Sequence, residues 1–72
     1  MYHYEWTRTV SDIHDETGIL KGHNRGQNLI RDRLSNDDFG TDWEKRGTHR
    51  AAKYYMSEET FQTAVRMLRS GR

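Results

Sequence analysis

Gln27, Asn28 and Arg31 stand within five consecutive positions, and each side chain hydrogen-bonds in pairs. A carboxamide donates and accepts along one edge, while a guanidinium offers a planar fork of donors. At this spacing on a helix, these types suit the edges of nucleobases: adenine for Asn28 and Gln27, guanine for Arg31. Lys21 and Arg25 come just before them, where cations would meet phosphate oxygens at a helix start. A second polar group, Lys45, Arg46, Thr48, His49 and Arg50, surrounds Gly47 and suits a phosphate backbone or a minor groove. Both groups have plainer readings. A helix face of this composition can simply be solvated, and a charged hairpin can guard a sheet edge against pairing. A common ligand is favoured because the two groups share a sign and lie next to one another in the expected topology.

Residues suited to catalysis are sparse. The four histidines, His3, His14, His23 and His49, form no i, i+4 pair, so helical metal-ligand spacing is absent. With no cysteine there is no thiolate nucleophile, zinc ligand or disulfide. Lys21 to Gly26 contains two glycines but not the spacing of a phosphate-binding loop. Asp37 and Asp38 are adjacent, which sends their side chains apart in an extended chain. No catalytic site, metal or cofactor is expected. His14 reads as a packed core residue and not as a ligand.

The chain that must position these groups has 72 residues, of which 32% are apolar and 32% charged. That composition excludes a large core, yet a net charge of +1 and eight aromatic rings argue against disorder. Charge is unevenly spread. Residues 1–20 hold one basic and four acidic side chains, and residues 21–53 hold eight basic and five acidic. A basic middle can face a polyanion even when the total is near neutral. No run approaches the length of a membrane span, and no signal-peptide core follows Met1. The expectation is one soluble, cytoplasmic domain over residues 1–72.

Local signals divide the chain into elements. Tyr2 to Trp6 alternates aromatic and polar residues, which predicts a short strand. Thr9-Val10-Ser11-Asp12 has the spacing of a capping box, Val10, Ile13, His14 and Thr17 share one helical face, and Gly18 ends the helix. Asn24 is placed to cap a second helix with Leu29, Ile30 and Leu34 on its apolar face. Gly26 lies on that side, where it permits close approach, and Arg33 must snorkel or pair with a carboxylate. Phe39 anchors the following turn. Residues 41–56 predict a hairpin with its tip at Gly47, and Ser57-Glu58-Glu59 opens a third helix whose inner face is Phe61, Ala64, Val65 and Leu68.

Strand, helix, glycine-bearing turn, helix, basic hairpin and helix make an α+β order. Through Thr9 to Ile19, Arg25 to Leu34 and Trp43 to Met56, the chain resembles winged helix-turn-helix proteins of the phage and bacterial excisionase and MerR-like type. The resemblance implies sequence-specific duplex DNA binding by a transcriptional regulator or recombination accessory factor, as a homodimer or a cooperative array on DNA. The second helix would read the major groove and the hairpin would serve as wing. Two features depart from the pattern: His14 stands where a small residue normally lets the helices cross, and the turn from Gly18 to Asn24 is longer than usual. The contrasting expectation is a small phage-type inhibitor or adaptor that docks on a host protein through the aromatic amino-terminal segment or the third helix.

Overall fold

The computed structural model describes residues 3–19, 24–48 and 52–71. Its elements are β1 (Arg8–Thr9), α1 (Val10–Thr17), α2 (Asn24–Ser35), β2 (Trp43–Arg46), β3 (Lys53–Met56) and α3 (Glu58–Arg69). The three strands form an antiparallel sheet in the order β1-β3-β2, with Thr9 opposite Tyr55 and Arg46 opposite Lys53. The chain is therefore an α+β domain of three helices against a small sheet.

Helix α1 forms where its sequence marks it. Thr9 is extended, and its hydroxyl accepts from the Asp12 N–H at 3.2 Å while Asp12 accepts from the Thr9 N–H at 3.1 Å. Gly18 takes a left-handed φ of 64°, where an L side chain is strained, and its N–H donates to His14 O at 2.8 Å. Ser57 caps α3 in the same way, accepting from the Thr60 N–H at 3.2 Å, with Glu58 and Glu59 at the positive helix end.

Helix α2 and the amino-terminal segment differ from the periodic expectation. Leu29 is 39% exposed, and the buried row of α2 is Gly26, Ile30 and Leu34, one helical turn apart. Asn24 is already within α2, so the capping position before it lies outside the described residues. Residues 3–6 are also no strand. They turn at Tyr4-Glu5, with the Trp6 N–H donating to His3 O at 2.9 Å, and the first strand comes later at Arg8–Thr9. The alternation misleads because His3 and Trp6 stack face to face at 3.9 Å, which needs a turn, while Tyr4 points into solvent at 83% exposure. Tyr2 lies outside the described residues.

The core is Val10 and Ile13 from α1, Ile30 and Leu34 from α2, Phe39, Met56, and Phe61, Ala64 and Val65 from α3. Helix α1 is its hub, touching α2, α3, β1 and β3. Its contact with α2 is close because Gly26 meets the His14 ring: a Cβ at Gly26 would lie 2.7 Å from His14 Nε2 and 2.5 Å from Ile19 O. The small residue that lets the two helices cross is thus carried by α2, opposite His14. No helix among the described residues is long and apolar enough to cross a membrane.

Candidate functional site

The exposed face of α2 presents Arg25, Asn28, Asp32 and Ser35. Gln27 and Arg31, one turn apart, are half-buried on the flank nearest the hairpin. There they line a cleft of about 280 Å³ with Thr9 and Ser11 from the start of α1 and Lys53 and Tyr54 from β3. Of the residues expected to read base edges, Asn28 points outward, whereas Gln27 and Arg31 share the cleft wall. Asp32 puts a carboxylate on the exposed face beside them.

The turn after α2 holds the hairpin in place. Arg33 donates to Asp38 at 3.3 Å and lies 5.0 Å from the centre of the Phe39 ring, so of the two options its position leaves open it takes the carboxylate pairing. Asp37 adopts a left-handed φ of 61°, and its carboxylate accepts from Trp43 Nε1 at 2.7 Å, tying the turn to β2. Lys45 and Thr48 are exposed on the hairpin. Lys21, His49 and Arg50 lie outside the described residues.

Arg46 has a different position from the rest of the hairpin cations. Its side chain is 20% exposed, with Nε donating to Glu44 at 2.6 Å and Nη2 donating to the carbonyls of His3 at 2.6 Å and Trp6 at 3.1 Å. The guanidinium also lies 4.2 Å from the centre of the Tyr55 ring. These contacts fasten residues 3–6 to the sheet, so the Arg46 guanidinium is engaged within the fold. Lys53, its partner across the strands, lines the cleft. Sequence reasoning passed over Lys53, and its only signal was a position opposite Arg46 on the returning strand.

Glu44 is the electrostatic centre of this fastening. Partial burial alone would raise its carboxyl, but donation from the His3 ring, from Arg46 and from the His3 N–H, together with the Arg46 charge, brings it from 4.5 to about 2. A carboxyl lowered in the folded state contributes stability that is fully present above the unfolded value and is lost as pH falls through the folded one. The melting temperature of the wild type should therefore fall from pH 4.5 towards about 2 more steeply than that of Glu44→Gln. Parallel melting curves for the two proteins across that window would show that Glu44 does not hold the segment. Glu58 is lowered too, first by its hydrogen bond from Gln62 and then by one from Arg8, against a smaller opposing effect of burial.

This arrangement can bind anions and hydrogen-bond flat polar edges. His14 is wedged against Gly26, and its Nε2 is buried with no hydrogen-bond partner among the described residues. Those residues contain no cluster of three or more metal-ligating side chains. No protein-family model, curated protein or solved structure matches the chain.

Proposed function

We propose that this chain is a winged helix-turn-helix domain that binds duplex DNA, with α2 in the major groove and the β2–β3 hairpin along the backbone or in the minor groove. The observation that supports the reading best is the cleft between α2 and β3, which no carboxylate of the described residues lines and which Arg31 and Lys53 enter from two elements, with Asn28 exposed on the next row of α2. Arg25, Lys45 and Lys53 meet phosphates, and Asn28 reads a base edge. Arg31 acts from the flank of α2 toward the hairpin. Regulation or recombination in a phage or mobile element is the biological setting that the sequence resemblance adds, with pairing or arraying of copies on DNA compensating for the small footprint.

Binding to random-sequence duplex DNA, followed by anisotropy at low and moderate salt, tests the proposal. Three phosphate contacts would weaken affinity about fortyfold for a fourfold rise in salt. Arg25→Ala and Lys45→Ala should each reduce the salt slope by about one without sequence preference. Asn28→Ala should lose about 1–3 kcal/mol on a selected site only. Absence of binding at low salt overturns the duplex reading and leaves docking on a protein, through Tyr4 and the amino-terminal segment, as the alternative to pursue by pull-down.

A further inference from the structure

We propose that the cleft between the start of α1, the flank of α2 and β3 is a seat for one phosphate group, gripped by Arg31 from one wall and Lys53 from the other. The pairing pattern of the arginines points there. Arg8 pairs with Glu58, Arg33 with Asp38, Arg46 with Glu44 and Arg69 with Glu16. Arg31 is half-buried like Arg33 and Arg46, yet neither Arg31 nor Lys53 makes an ion pair among the described residues. No carboxylate of the described residues lines the cleft, and the nearby Asp12 accepts from the Thr9 N–H inside the α1 cap. A guanidinium withdrawn from water with no counter-charge is unfavourable until an anion completes it.

The other lining groups fit a tetrahedral oxyanion. Ser11 and Tyr54 contribute hydroxyls and Gln27 a carboxamide, all able to donate. A guanidinium fork matches two phosphate oxygens, and an ammonium serves a third as a point charge. At about 280 Å³ the cleft admits a phosphate and part of what it is attached to. That phosphate can belong to a DNA backbone, in which case the inference rests on the duplex reading. It can also belong to a free phosphorylated small molecule, in which case it does not.

The test is a nuclear magnetic resonance titration of the full chain with inorganic phosphate, with a mononucleotide and with random duplex DNA, against chloride at matched ionic strength. Inorganic phosphate should shift the backbone amides of Ser11, Gln27 and Lys53 and the side-chain Nε–H of Arg31. Its affinity should fall about tenfold in Arg31→Gln and in Lys53→Gln. Lys53 is exposed, so its variant keeps the test open even if Arg31→Gln folds poorly. If duplex DNA shifts the same signals and both variants weaken it, the phosphate is that of the backbone. If phosphate and mononucleotide bind there and duplex does not, the seat stands and the duplex reading falls. Phosphate shifts that are absent, or spread evenly over Arg25, Lys45 and Arg66, overturn the seat, whether or not duplex binds elsewhere on the surface.

Discussion

Gly26→Ala should destabilise the domain by about 1–3 kcal/mol, the usual penalty for forcing a methyl group into a packed contact. Helix propensity alone argues the other way, since replacing an interior helical glycine by alanine normally gains about 1 kcal/mol. Packing wins because the new Cβ would sit 2.5 Å from Ile19 O, a backbone atom that cannot swing aside, and 2.7 Å from His14 Nε2. Relief requires α1 and α2 to separate, which opens the core at Ile13 and Ile30, both fully buried. Chains of this size rarely hold more than about 3–5 kcal/mol in total, so urea unfolding should show a large fall in midpoint. His14→Ala in the same background should recover part of the loss by removing the ring contacts, while the clash with Ile19 O persists. A Gly26→Ala protein more stable than wild type would mean that the helices do not cross at this point.

Arg46→Ala should cost about 2 kcal/mol, the scale of losing hydrogen bonds made by a charged group. The deletion leaves the carbonyls of His3 and Trp6 without their shared donor and leaves Glu44 without its cation. Arg46→Lys should recover only part, because an ammonium cannot span Glu44 and two carbonyls as the guanidinium does from its place over the Tyr55 ring. Lys45, its exposed neighbour, gives the contrast. Lys45→Ala should leave the unfolding stability within about 0.5 kcal/mol and, under the proposed duplex binding, change only its salt dependence. If Arg46→Ala keeps its stability but loses one unit of salt slope, then Arg46 is a ligand contact and the fastening of residues 3–6 is incidental.

Different parts of the chain were legible to different degrees. The start and end of α1 can be read from Thr9, Asp12 and Gly18 because each acts on backbone no more than four residues away. The same holds for the Ser57 cap of α3, whereas for Arg33 the sequence leaves snorkelling and pairing open and the structure selects Asp38, five residues on. Residues 3–6 are harder to read, because besides the His3–Trp6 stack their turn is held by Arg46, which is 43 positions from His3 and contributes nothing to the local pattern. Leu29 was misassigned for a related reason. An amphipathic stripe is wider than the surface a single neighbour covers, so which flank stays dry depends on where α1 and β3 lie.

For the candidate site, residue types narrowed the chemistry before any contact was known. Paired carboxamide and guanidinium groups on one helix and cations on a hairpin are properties of composition and spacing. Tertiary structure decided which cations face outward. It drew Arg46 inward to Glu44, turned Arg31 to the flank, and brought Lys53 across from β3 to share a cleft with it. The physical reason is range. Caps, turns and periodic faces are settled by neighbours within one helical turn, whereas an arginine side chain is long enough to choose among several distant partners. Its choice depends on which carboxylates and carbonyls the folded chain brings within reach.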